Sequence, residues 1–419
     1  MSLERGRSLG DDCWFGKAVL RLSVKLERRP EAVMDEPEEV MEMSSSIADP
    51  ALKQPAARVL SIDTLRGLDM LMITGLGSLI FLLHGVTGRP WVDALAMQFE
   101  HPQWNGFAFY DFIFPLFLFV AGLSLPFSLN KGLEQGLSKT TLYKKAFRRM
   151  LILVALGILD KNAPVPIFDW PQIRIVGVLQ RIGFAGFITT ILYLNFGARG
   201  RAFWIAGLLL FYYAVMFLVP VPGFGAGNLS LEGCLNGWID RHFLPGRLLQ
   251  GNYDENGILT QVPALCLTVM GSLAGDLFRN RSLSQRAKLG RLLLWGAGCL
   301  GIGLVWSLHF PINKHLWTSS FIMLTGGMAL LSLGLLYWII DILGYRRWTF
   351  VFTVVGMNSL TIYMAYRFID FGFTSNLLFK GVYQSSPEKW HPVFEGTGAL
   401  VLVWVFLYVL YRLKVFIKV

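Results

Sequence analysis

The chain has 419 residues, of which 54% are hydrophobic and 16% charged, and its mean hydropathy is +0.50. Soluble proteins carry about 25% charged residues, so the composition excludes a soluble globular protein and points to an all-α, polytopic integral membrane protein. The formal net charge of +10 reads as basic loops flanking membrane spans. No nucleic acid is expected as a partner.

Residues 1–57 differ in kind from the rest. They mix Arg28-Arg29, the acidic Asp35, Glu36, Glu38 and Glu39, and a serine run at 44–46. The apolar stretch from Trp14 to Val24 is interrupted by Lys17 and Arg21, too short and too charged for a span or a leader. The expectation is a disordered or interfacial cytoplasmic tail over 1–57, with Met34, Met41 and Met43 as alternative starts, followed by one transmembrane domain over 58–419. Ten apolar runs of roughly spanning length follow, near 67–86, 109–129, 147–160, 174–196, 202–220, 260–278, 292–310, 318–341, 349–370 and 397–415. The loops holding Lys144, Lys145, Arg148, Arg149, Arg199, Arg201, Arg279, Arg281, Arg286, Lys288, Arg291, Arg346 and Arg347 are far more basic than the alternate loops. By the positive-inside rule both termini are cytoplasmic, and His101 faces outside. The longest external loop, 221–259, is rich in Gly and Asn, a composition shared by sugar-binding surfaces and ordinary turns. The four cysteines (Cys13, Cys234, Cys266, Cys299) have no metal-type spacing and no disulfide framework is expected; no metal is expected either.

Five short segments carry polar chemistry into or beside the apolar runs. Ser61–Gly67 opens the first span. Asp63 and Arg66, three apart, share a helix face; Asp69, three further on, needs a partner inside the span, and Arg66 is the candidate. Glu100–Asp111 sets His101, Trp104, Asn105 and Asp111 at the mouth of the next span, where a carboxylate can orient an imidazole or cap the helix. In Arg174–Gly183 a helical reading puts Arg174 and Arg181 two turns apart on one face, with Gln180 beside them; guanidinium geometry suits phosphate. Pro311–Trp317 offers Asn313, Lys314 and His315 in a short external loop. Gly356–Tyr363 puts Asn358 and Ser359 inside a span, where helix–helix hydrogen bonding is the plain explanation, and Arg367 follows as a further charge needing a partner.

These segments, in this order, resemble the catalytic membrane domain of the heparan-alpha-glucosaminide N-acetyltransferase family and its bacterial relatives. The matching stretches, Ser61–Gly67, His101–Gly122, Gly177–Gly183, Pro311–Trp317 and Gly356–Tyr363, cover most of the membrane part. The resemblance implies an acyltransferase that uses cytoplasmic acetyl-CoA to acetylate an amino sugar across a membrane, with His101 as the catalytic residue. It implies a bacterial inner membrane here. Two departures stand out: the animal enzyme's luminal domain and extra span have no counterpart, and an asparagine late in its first core helix falls at or near Gly77.

The resulting expectation is a transmembrane acyltransferase with acetyl-CoA as donor and a sugar or glycan amine or hydroxyl as acceptor. Membrane lipids surround it, and a homodimer is left open. His101 takes the acyl group or acts as base, Asp111 orients it, and Asn105 polarises the thioester carbonyl. Arg66, Arg174, Gln180, Arg181, Asn313, Lys314 and Asn358 are the candidates for holding the donor. The alternative is a transporter or flippase for a glycan or lipid precursor, which also explains buried Asp69, Arg181 and Arg367; the lack of an evident internal repeat counts against it.

Overall fold

The computed structural model of the chain describes residues 59–163 and 169–416. The expected tail over 1–57, with Cys13, lies outside the described residues. What is described forms one unit within Arg58–Val419. It is built of helices and loops, with two isolated bridges, Arg174 to Gly246 and Val221 to Gly225, as its strand-like contacts. Apolar runs take this form because a segment surrounded by lipid must satisfy its backbone groups internally.

The helices, in chain order, are α1 (Leu60–Leu71), α2 (Gly77–Phe81), α3 (Pro90–Met97), α4 (Ile113–Glu134), α5 (Lys139–Asn162), α6 (Val178–Asn195), α7 (Ala198–Leu218) and α8 (Leu235–Phe243). They continue with α9 (Gln261–Arg279), α10 (Gln285–Trp306), α11 (Ser319–Leu336), α12 (Thr349–Met357), α13 (Ser359–Phe368), α14 (Phe371–Tyr383) and α15 (His391–Arg412). Among the described residues, seven helical stretches are long and apolar enough to cross a membrane, or eight if α12 and α13, bent by 70° at Asn358, make one span. Two of the ten expected spans fall outside that set. The run at 147–160 belongs to α5, whose first half carries Lys139, Lys144, Lys145, Arg148 and Arg149. The run at 174–196 shortens to α6, which begins at Val178 and buries Arg181 in its first turn.

The core lies between α4 and α9. Of the apolar stretch of each helix, 78% is buried in α9 and 67% in α4, against 17% in α10 and 22% in α7, so α7 and α10 face outward. Small residues let the two central backbones meet. A Cβ on Gly122 would overlap the Thr268 carbonyl, and one on Gly271 would overlap the Phe119 carbonyl. The same device joins α1 to α12, where Gly67 lies against the Phe352 carbonyl.

Two irregularities position functional groups. Between α1 and α2 the helix passes through a π turn at Met72–Leu76, where Gly75 adopts φ +138°, a value that favours glycine. Beyond the break, Gly77 meets the Tyr110 ring: an added Cβ would sit 2.6 Å from Tyr110 Cε2. The second is the bend at Asn358, whose Nδ2 donates to the Val415 carbonyl at 3.1 Å.

Candidate functional site

A dyad forms where the chain enters α4. A 3-10 turn, Phe109–Phe112, runs directly into the helix. Asp111, 1% exposed, ties this turn together by accepting from the Ala108 amide through Oδ2 at 2.9 Å. Its Oδ1 lies 2.6 Å from His101 Nδ1. A carboxylate on Nδ1 selects the Nδ1–H tautomer and leaves Nε2 as the ring's lone-pair nitrogen. Tyr110 stacks on the imidazole, with centroids 5.1 Å apart and planes inclined by 21°. His101 is half-exposed, so the ring is held yet reachable.

The short loop after α10 closes over this dyad. Asn313 Oδ1 accepts from the Leu316 amide at 2.8 Å, a local side-chain turn, and its Nδ2 donates to Asn105 Oδ1 at 3.0 Å. The Gly106 amide donates to the Ile312 carbonyl at 2.9 Å. These bonds fix Lys314, whose Nζ lies 2.9 Å from His101 Nε2, 3.2 Å from Nδ1 and 3.6 Å from Asp111 Oδ1. Asn105, Asp111, His101, Asn313 and Lys314, widely separated in the chain, thus meet in one cluster.

The 221–259 loop adds residues that sequence reasoning missed. Glu255 Oε1 lies 2.9 Å from His315 Nδ1, and Oε2 is 4.0 Å from Lys314 Nζ. Tyr253 OH approaches the same His315 nitrogen at 2.8 Å, and His315 Nε2 faces the Pro102 carbonyl at 3.2 Å. With acceptors at both ring nitrogens, His315 is best satisfied as the imidazolium. Burial lowers its affinity for a proton, but the Glu255 carboxylate outweighs that and raises its pKa. Burial also pushes the Glu255 carboxyl up, but the His315 bond and the charges of Lys314, His315 and His101 prevail and hold it at about 2. Trp104 stacks flat on His315, at 5.4 Å and 8°, and donates Nε1–H to the Leu229 carbonyl at 2.9 Å.

The two arginines of the Arg174–Gly183 segment do not share a helix face. The chain is extended at Arg174, which pairs with Gly246, and α6 begins only at Val178. Arg174 Nε and Nη2 donate to Asp254 Oδ2 and Oδ1 at 2.7 and 2.8 Å, a buried bidentate pair. Arg181 is fully buried and donates Nη2–H to the Glu255 carbonyl at 2.7 Å and to Thr260 Oγ1 at 2.5 Å. Its guanidinium lies over the Trp317 ring at 4.3 Å. Both arginines therefore anchor the loop that presents Glu255, and Arg174 is committed to protein. Gln180 packs on Gly157 and donates to the Ile175 carbonyl at 2.9 Å. Asn358 marks the α12–α13 bend. Neither side chain lines the cavity described next.

A cavity of about 390 Å3 runs between α1, α4, α5, α6, α12 and α13. Its α4 wall is Phe114, Phe117, Val120, Ala121 and Ser124, a stripe at helical spacing. Asp111 is the next position on that stripe. At about 1.5 Å per residue, the ten steps from Phe114 to Ser124 span about 15 Å. Arg66 and Arg149 line one end, where Arg66 bonds Ser124 Oγ and lies 3.4 Å from Asp63. The other end, at Phe114 and Val178, stops one turn short of Asp111. Arg149 and Ser124 had been missed; Ser124 was detectable as the polar end of an otherwise apolar stripe.

Asp69 and Arg367 differ from the expectation of a buried charge paired inside the bundle. Asp69 is fully buried, and neither of its oxygens has a hydrogen-bond partner among the described residues; Arg66 turns instead to Asp63 and Ser124. Arg367 is exposed and donates to the Ala163 carbonyl at 2.8 Å.

Residues 58–169, which include His101, Asn105 and Asp111, match a family model described as a domain of unknown function (DUF5009). The chain is 26% identical to heparan-alpha-glucosaminide N-acetyltransferase from Mus musculus over 465 aligned residues, covering 97% of this chain and 67% of that protein. It is 28% identical to the protein of that name from Homo sapiens over 419 aligned residues, covering 86% of this chain and 60% of the human one. At this low identity the chain is similar to the heparan-alpha-glucosaminide N-acetyltransferases. It spans about two thirds of the length of the mouse relative and less of the human one.

Proposed function

We propose that this chain is a membrane acetyltransferase. It moves an acetyl group from acetyl-CoA on the cytoplasmic side to an amine or hydroxyl of a sugar on the other side, with both termini cytoplasmic. The observation that carries the reading is the cavity: it runs along α4 from a pair of arginines to Phe114, one turn short of the Asp111 that holds His101. Arg66 and Arg149 attract the donor's phosphates. The apolar wall of Phe114, Phe117 and Ala121 takes the donor's arm, and the thioester is delivered near His101. With Asp111 on Nδ1–H, His101 Nε2 either withdraws the proton of the incoming acceptor or takes the acyl group itself. Asn105, whose Oδ1 is occupied by Asn313, offers its Nδ2–H groups to the carbonyl oxygen as negative charge develops there.

The names of the similar proteins support amino-sugar acetylation as the reaction class. The test is transfer of radiolabelled acetyl from acetyl-CoA to glucosamine by the purified chain in vesicles, with donor and acceptor in separate compartments. Transfer lost in His101→Ala and weakened in saturation by donor for Arg66→Gln or Arg149→Gln supports the reading. Glycan flux across the vesicle with no thioester cleavage would replace it with a transporter.

A further inference from the structure

The Lys314 ammonium occupies the position that an acceptor amine must take. Its Nζ is 2.9 Å from His101 Nε2, and it is the lysine, among the described residues, held against an imidazole. It is not a loose surface group: the side chain is 11% exposed, lies 3.6 Å from Asp111 Oδ1 and 4.0 Å from Glu255 Oε2, and stands on a loop pinned by Asn313. A primary amine within hydrogen-bond reach of a base whose other nitrogen is fixed by a carboxylate is the arrangement for general-base attack on an acyl group. Fixed proximity of this kind replaces a second-order encounter with an intramolecular one.

We infer that Lys314 is a self-acetylation site: when no sugar amine is present, Nζ accepts the acyl group delivered to His101. The inference rests on acyl delivery from acetyl-CoA as proposed above. In the step, one ammonium proton passes to His101 Nε2 and on to solvent. The Nζ–C bond then forms at the thioester carbonyl and the C–S bond breaks. The second nitrogen proton, lost as the tetrahedral adduct collapses, ends on the departing CoA thiolate. The product is an ε-acetamide, which removes the lysine's charge and with it the ion pairs to Asp111 and Glu255. A sugar amine competes directly, because it must displace Nζ from His101 to react.

The experiment uses the purified full chain without sugar, incubated either with acetyl-CoA or with p-nitrophenyl acetate, a small donor that does not need the cavity. Acetylation is followed by mass spectrometry at Lys314 and at the exposed Lys380 and Lys389. Lys314 is expected to react at least tenfold faster than the other two. His101→Ala and the milder Asp111→Asn should each bring it down toward their rate, and glucosamine should suppress it. Modification of Lys314 no faster than Lys380 with either donor, or unchanged by both variants, overturns the inference. Lys314 left unmodified by acetyl-CoA in the sugar-free incubation, in a preparation that acetylates glucosamine once it is added, overturns it while sparing the acetyltransferase reading. Labelling by p-nitrophenyl acetate alone sustains Lys314 as an acceptor and removes acetyl-CoA as the donor.

Discussion

Removing Asp254 tests how the loop beside His101 is held. The carboxylate accepts four bonds: Arg174 Nε at 2.7 Å, Arg174 Nη2 at 2.8 Å, the Asn256 amide at 2.9 Å and the Leu249 amide at 3.0 Å. The side chains of Arg174 and Asp254 are 4% and 0% exposed. Asp254→Ala strands a buried guanidinium, and breaking a buried pair from one side costs about 3–5 kcal/mol. Asp254 also donates its amide to Asp240, in the helix that Cys234 caps. Opening of this region is therefore read by Cys234, a fully buried thiol. In a Cys13→Ser background, the rate of Cys234 alkylation should rise by roughly 10²-fold or more, the population of open states following the lost free energy. The double variant Arg174→Met, Asp254→Leu should recover most of that loss, because an apolar replacement of a buried ion pair is close to neutral. The reasoning fails if Asp254→Ala changes the rate less than threefold, or if the double variant opens as readily as the single.

The Glu255–His315 pair sets a pH window. The carboxyl is held at about 2, below its ordinary value of 4.5, so its contribution is present above pH 4.5 and lost as pH falls through 2. The imidazole is raised above 6.5, so its contribution is complete below pH 6.5 and lost as pH climbs through the raised value. Trp104 fluorescence, reporting the stack on His315, should be flat between about pH 4.5 and 6.5 and change on both sides; Glu255→Gln should remove the acidic limb. Gly77→Ala drives a methyl into the Tyr110 ring and shifts the His101 stack; kcat for acetyl transfer should fall about tenfold or more, with little further loss when Tyr110→Ala is added. A full additive loss in that double-mutant cycle would separate the two positions. Asp111→Asn keeps the size of the side chain and lets the imidazole adopt the wrong tautomer; kcat should drop at least 10²-fold with KM for acetyl-CoA little changed, and a rise confined to KM would refute the orienting role.

Much of this arrangement was legible in the chain. Helical spans follow from apolar length, and His101, Asn105, Asp111, Asn313 and Lys314 were visible as polar residues set against such spans; the fold brings them together. Arg174 misled because spacing of seven reads as one helix face only if the helix has already begun, and the extended backbone before Gly177 places its start at Val178. Glu255 was hidden because a turn-rich loop has no periodicity from which to infer direction. Arg149 was counted as a loop cation, although α5 carries it inward to line the cavity. Asp69 looked like a partner for Arg66 because three-residue spacing gives proximity along a helix, while the choice of partner belongs to neighbouring helices.

The interlocked backbones of the core also set an order of assembly during synthesis. Gly67 in α1 can close only on Phe352 of α12, nearly 300 residues later in the chain. At about 5–20 residues per second, α1 waits tens of seconds for that surface. Through that interval the Asp69 carboxyl must be tolerated in or beside lipid. The α4–α9 closure, separated by a shorter stretch, is complete well before. The central pair is therefore a template, and the first helix of the domain is among the last to find its place.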